Sequence, residues 1–331
     1  MFGLATYEMD TPFGSVKRLA AVIGNHRVVD LRSAYRAHLA LVEKDPHAAQ
    51  IAAVRIPDTM MAFIQGGEPS LAAAKAAVEF AENHGHDGRA SIGRETVQLS
   101  FALESVRLCI PLMPGKIVAL GRNYADHQKE SVLPPPDDFP RGFVKVNSSL
   151  IGPDADISYP KVTTKLDYEV ELAVIIGKGG RDIPAEKADE HIFGYTIFND
   201  MGGRDWQFEE RKKGNHLLGK NFDGMGPMGP YIVPKEFVRD PMNLRLVLRV
   251  NGGTRQESNT RHMIYDIGKL IAHWSKMTLE SGDMISTGTP SGVASGRKPE
   301  DPSWYLKPGD VVEAEIEGLG ILRNRVVEKA Q

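Results

Sequence analysis

Two glutamates one residue apart, at the head of a long apolar run, constrain this chain more than any other feature. In Asp167-Tyr168-Glu169-Val170-Glu171-Leu172-Ala173-Val174-Ile175-Ile176-Gly177 the β-branched tail reads as a buried strand. Residues i and i+2 of a strand share a face, so Glu169 and Glu171 project side by side. Two like charges that close raise each other's cost unless something positive lies between them. The next residues on that face, Ala173 and Ile175, offer no counter-charge. Two readings stand at this point: a solvated strand edge, or one wall of a cation site.

A third acid shifts the balance. Thr196-Ile197-Phe198-Asn199-Asp200 reads as a second strand ending in a carboxylate. Three carboxylates at the ends of two buried strands form a hard-oxygen cluster suited to Mg²⁺ or Mn²⁺, with Ca²⁺ also admissible. No Cys or His belongs to the trio, which disfavours zinc. About three positions of an octahedron remain for water or a chelating substrate.

Length and charge narrow the class. The chain has 331 residues and a formal net charge of -3, so nothing in its charge favours nucleic acid or a membrane surface. Its single cysteine, Cys109, cannot form an intrachain disulfide; a reducing, cytoplasmic setting is the expectation. No stretch reaches the roughly 18 apolar residues of a membrane span. Strands are expected at 17–23, 28–31, 96–102 and 107–111, and helices at 33–41 and 70–82. Beyond Pro111-Leu112-Met113-Pro114-Gly115 short apolar runs alternate with Gly and Pro, which predicts a β-rich unit with one helix at 266–276. The expected division is a small N-terminal domain, 1–112, and a catalytic domain, 113–331.

Five separated blocks resemble the fumarylacetoacetate hydrolase family over residues 115–328. They are Gly121-Arg122-Asn123-Tyr124-Ala125-Asp126-His127-Gln128-Lys129-Glu130, the Asp167–Leu172 segment, Asn199-Asp200-Met201-Gly202-Gly203-Arg204-Asp205-Trp206-Gln207, Gly219-Lys220-Asn221-Phe222-Asp223 and Thr287-Gly288-Thr289-Pro290-Ser291-Gly292-Val293. The resemblance implies an α+β fold, with a mixed β-roll catalytic domain and a small mixed α/β N-terminal domain, usually as a homodimer. It implies a metal on Glu169, Glu171 and Asp200, and a His127–Glu130 dyad on a short helix. It also implies Lys220 as a catalytic lysine, and Arg204, Gln207 and Thr289 as substrate contacts. A fourth aspartate ligand, present in some members, has no counterpart here.

The activity so implied is hydrolysis of a C–C bond in an acylpyruvate or β-diketo acid, of the kind met in aromatic catabolism, through a metal-chelated enolate. His127 would take a proton from water, with Glu130 orienting its ring. Lys220 would add positive charge and pass on a proton, while Arg204 and Gln207 orient the substrate's anionic end. The same site could decarboxylate oxaloacetate-like acids or isomerise hydroxymuconate-like diacids, and a catalytically silent binding protein is the rival from another class. The run Leu133-Pro134-Pro135-Pro136-Asp137-Asp138-Phe139-Pro140 begins just after Glu130 and reads as a loop that could carry the dyad over the metal as a lid. Gly224-Met225-Gly226-Pro227-Met228-Gly229 matches a dinucleotide fingerprint by letter only, since a Pro interrupts it and a strand follows.

Overall fold

A computed structural model describes the chain except for residues 13, 25, 85, 86, 131–138, 298, 300 and 329–331. Its spine is one large mixed sheet. Along it the strands run Ser100–Ala102, Arg27–Asp30, Gly14–Ile23, Gly3–Thr11, Gly226–Pro234, Ile192–Asn199, Val170–Ile176, Met284–Ser286, Ile117–Gly121 and Arg141–Lys145. A second sheet of five strands packs on one face, in the order Asp156–Tyr159, Gly320–Glu328, Val311–Ile316, Arg245–Val250, Gly253–Asn259. The architecture is α+β and dominated by sheet, as expected. The two expected segments share the large sheet, because Gly3–Thr11 pairs antiparallel with Gly226–Pro234.

Side-chain alternation explains the layers. Along Val170–Ile176, Leu172 and Val174 pack with Leu246, Leu248 and Val312 of the five-stranded sheet. Ala173 and Ile175 turn the other way, into a core shared with Leu31, Phe63, Ala77 and Phe80 from the N-terminal helices. A strand buried on both faces needs a near-continuous apolar run, and this one has it from Leu172 onward. Each fully buried Val, Leu or Ile contributes roughly 1.5–3 kcal/mol.

Those helices are Leu31–Leu41, Ala48–Arg55, Met60–Gln65 and Gly67–His84. Asp30 caps the first by accepting from the Ser33 N–H, and it also binds Arg18 and Tyr7. Phe63 meets Phe193, which lies beside the Ile176 end of the central strand. Glu171 pairs with Phe198 at the other end. The helical layer therefore anchors one end of the strand, and the site forms at the opposite end.

Candidate metal centre and active-site cavity

Antiparallel pairing of two strands builds the acidic trio. Val170 faces Asn199, so the residue before one strand meets the residue after the other. The Asp200 N–H donates to the Glu169 carbonyl at 2.9 Å, and the Glu169 N–H donates to Asn199 Oδ1 at 2.9 Å. Carboxylate oxygens of Glu169, Glu171 and Asp200 lie within 4.8 Å of one another. Their exposures are 6%, 0% and 1%, which removes the solvated-edge reading.

The surroundings leave room for a cation. Glu171 Oε2 accepts from the Ser286 hydroxyl and from the Gly288 N–H at 3.0 Å, while Oε1 is buried with no partner among the described residues. Lys145 and Lys220 stand 2.9 and 3.0 Å from the two Asp200 oxygens, but off the angles of a hydrogen bond. Burial, with Asp200 and Glu169 alongside, pushes the Glu171 carboxyl well above the usual range. Burial acts on Glu169 too, but Lys220 and Arg204 outweigh it and hold that carboxyl low. A divalent ion held here would supply the missing positive charge, and the partnerless Oε1 of Glu171 fits that role. Glu169, Glu171 and Asp200 thus form a divalent metal site.

The other expected residues gather around the trio. Lys220 Nζ lies 2.6 Å from Glu169 Oε2 and donates to the Asp200 carbonyl at 2.6 Å. Arg204 opens the helix Arg204–Lys212; its Nε donates to Asp167 at 2.7 Å, and its Nη2 binds Glu169. Gln207, one turn on, stands behind Arg204: its Oε1 accepts from Arg204 at 3.1 Å and its amide donates to the Gly219 carbonyl. The Thr289 hydroxyl donates to the Val170 carbonyl at 3.0 Å and accepts from Gln256 at 2.8 Å.

The dyad sits across the cavity, on the helix Ala125–Glu130. His127 Nδ1 is 3.2 Å from Glu130 Oε2, and Glu130 Oε1 accepts the Gly292 N–H at 2.9 Å. Asp126 turns away to Ser258 and Ser291. Of the expected lid, residues 131–138 lie outside the described residues. The cavity, about 570 Å³, is lined by His127, Glu130, Glu169, Arg204, Lys220 and Thr289, with Leu120, Phe143, Phe208 and Val293 as apolar walls. Gln207 is not among its lining residues, so it reaches the cavity only through Arg204.

Sequence reasoning missed two contributors. Lys145 is wholly buried and donates to the Met225 carbonyl at 2.8 Å beside Asp200; a lone lysine inside the strand Arg141–Lys145 was its only signal. Asp167 receives Arg204 and the N–H groups of Tyr168, Ala294 and Ser295 at 2.8–3.0 Å. Its place in the Glu169 block was visible, but its distant partners were not.

Comparison with known proteins agrees with this geometry. The fumarylacetoacetate (FAA) hydrolase C-terminal family matches residues 116–327. Human oxaloacetate tautomerase FAHD2A is 40% identical over 275 residues, 82% of this chain and 81% of that protein. The fumarylacetoacetate hydrolase of Exiguobacterium antarcticum superposes with a TM-score of 0.72 at 32% identity, over 99% of this chain and all of the other. Maleylpyruvate hydrolase from Sphingobium sp. SYK-6, solved with manganese(II) and pyruvate, gives 0.70 at 30% identity over the full length of both. With a family match over most of its length and a metal site built on the strands that carry it, the chain belongs to the fumarylacetoacetate hydrolase family.

Proposed function

We propose that this enzyme hydrolyses a C–C bond in an acylpyruvate-type 2-oxo acid. The observation that carries the reading is a histidine–glutamate dyad that lines the same cavity as Glu169 of the acidic trio. A divalent cation held by Glu169, Glu171 and Asp200 would supply Lewis acidity toward the substrate's ketone. Glu130 beside Nδ1 favours the tautomer protonated there, leaving Nε2 of His127 free to take a proton from water. The water oxygen adds to the distal carbonyl carbon, and the bond between that carbon and the pyruvate carbon breaks. The electron pair stays on the pyruvate carbon, which takes a proton from Lys220. Arg204 holds the anionic end, with Gln207 fixing its guanidinium.

A second reading has its own support. The 40% identity to an oxaloacetate tautomerase favours enol–keto proton transfer on oxaloacetate with the same trio and lysine. His127→Ala separates the two when metal-loaded enzyme is assayed on an acylpyruvate and on oxaloacetate. Under the hydrolytic reading, acylpyruvate cleavage falls by about 10²- to 10⁴-fold. Unchanged cleavage makes the base assignment wrong. Wild-type enzyme that tautomerises oxaloacetate but cleaves no acylpyruvate replaces the first reading with the second. A homodimer belongs to the same proposal; a monomer in sedimentation equilibrium removes that part alone.

A further inference from the structure

The helix Ala125–Glu130 carries two carboxylates four residues apart, Asp126 in its first turn and Glu130 in its last, so both lie on one face. Of the two, Glu130 lines the cavity and Asp126 does not. Asp126 is half-buried, and its Oδ2 accepts the hydroxyls of Ser291 at 3.0 Å and Ser258 at 3.2 Å. Glu130 accepts the N–H of Gly292, the residue after Ser291. Neighbouring residues of one loop therefore hold the helix at both ends, and His127 lies between them.

The loop is shaped to receive that face. Gly292 has φ +103°, and a Cβ there would run into the Arg255 carbonyl. At Gly296 a Cβ would stand 2.8 Å from Glu130 Oε2, so glycine leaves the carboxylate its place. The far side of the loop is keyed to the segment that leads into the strand Val170–Ile176. The Gly292 carbonyl accepts from the Tyr168 hydroxyl at 3.3 Å, and the Ala294 and Ser295 N–H groups donate to Asp167. Asp167 and Tyr168 directly precede Glu169, so loop 291–296 spans from the acidic trio to the dyad helix.

A helix of six residues cannot hold its own geometry in water, so its contacts decide where the imidazole stands. Tyr124, fully buried and bridged to Met263, fixes where the helix starts. Its rotation about its own axis, which aims His127, is set by the two carboxylates on the loop. We infer that Asp126 is the positioning residue of the dyad, docking the first turn on Ser258 and Ser291. Glu130 docks the last turn and is also the partner of His127, whereas Asp126 takes no part in proton transfer.

This inference rests on the dyad reading, and its test separates the two. In Asp126→Ala, kcat for acylpyruvate cleavage should fall about 10- to 100-fold with KM within about threefold of wild type, because a misaimed base loses rate rather than substrate affinity. Asp126→Asn keeps an acceptor oxygen for the two hydroxyls and should restore most of kcat. Ser258→Ala combined with Ser291→Ala should reproduce Asp126→Ala, and adding Asp126→Ala to that pair should cost nothing further. A readout free of turnover is hydrogen exchange on the metal-free full chain. It should quicken across residues 125–130 in Asp126→Ala and stay unchanged along Val170–Ile176. Either wild-type kcat or wild-type exchange in Asp126→Ala overturns the assignment, and the dyad reading stands as long as His127→Ala abolishes cleavage. Additive losses from the serine and aspartate substitutions overturn it too. Should Asp126→Ala fail to fold, the serine pair decides: full kcat there overturns the docking. A His127→Ala variant that cleaves as well as wild type removes the parent reading, and this role with it.

Discussion

Asp167 and Glu171 stand four residues apart, both fully buried, and the fold treats them in opposite ways. Asp167 is satisfied by the protein itself, through the Arg204 guanidinium and three main-chain N–H groups. Glu171 keeps one oxygen without a partner and is pushed toward its neutral form by burial and by the neighbouring acids. A buried charge is tolerated when its partners are built in, and it is costly when they are left out. The first arrangement ties loop 292–296 to the helix that carries Arg204. The second sacrifices stability to leave a coordination position open.

The largest expected effect follows from that contrast. Asp167→Ala strands the buried Arg204 and should cost about 3–5 kcal/mol in urea unfolding at pH 7. Glu171→Gln in metal-free protein should be neutral or stabilising, since it removes a carboxyl whose charged form lacks a partner on one oxygen. Equal losses for the two variants would break the comparison. Next in size is the ion itself. A divalent cation at 100 times its dissociation constant should stabilise the wild type by about 2.7 kcal/mol, and a chelator should reverse the gain. Glu171→Gln should show almost none of it. A full metal-dependent shift in that variant would move the ligand role away from Glu171.

Much of the contrast was legible in the sequence, but only one side of it. The period-2 placement of Glu169 and Glu171 and the apolar run after them fixed the strand, and Asp200 at the end of a second strand completed the trio. The solvated alternative survived until burial was known, because alternation tells which face a residue takes but not what covers it. The strand Gly226–Pro234 extends through Pro227 and Pro230, so it already includes the Gly226–Gly229 stretch that a strand was expected only to follow. Proline inside a strand reads as a breaker until the neighbours that replace its hydrogen bonds are seen. The helix Arg204–Lys212 went unpredicted, since its stripe of Arg204, Phe208 and Arg211 is mostly polar and faces a cavity rather than a core. Lys145, Asp167 and Ser286 reach their partners Asp200, Arg204 and Glu171 across 55, 37 and 115 residues of chain, and spacing alone carries no such information.

Ser286 offers a smaller, sharper probe. Its hydroxyl donates to Glu171 Oε2 and so fixes the carboxylate with Oε1 left unpartnered among the described residues. Ser286→Ala should weaken metal affinity by roughly 10- to 100-fold, as read by competition with a chelating dye, because the ligand loses its orienting partner. Unfolding of the metal-free protein should change much less than in Asp167→Ala. An unaltered affinity would mean that the strand backbone alone aims the carboxylate.

The smallest expected effect concerns a half-buried histidine on the outer wall. His216 packs against Phe143 with ring centroids 4.5 Å apart, and its Nε2 has no partner among the described residues. Burial, reinforced by Arg211 and Lys220, pushes its pKa down from 6.5 to about 4. Because the folded value lies below the unfolded one, the unfolded chain binds the extra proton between these two pH values. The contribution is present above pH 6.5 and is lost as pH falls toward 4, with a slope below about 1.4 kcal/mol per pH unit. Urea midpoints of metal-free wild type and His216→Phe, taken at pH 7, 5.5 and 4.5, isolate this proton from the carboxylates that titrate in both proteins. The variant should lose less stability across the window, since phenylalanine keeps the stacking and binds no proton. Parallel pH profiles would show that His216 accepts its proton in the folded state, and the outer wall would then resemble the Asp167 side of the comparison, where the fold supplies every partner.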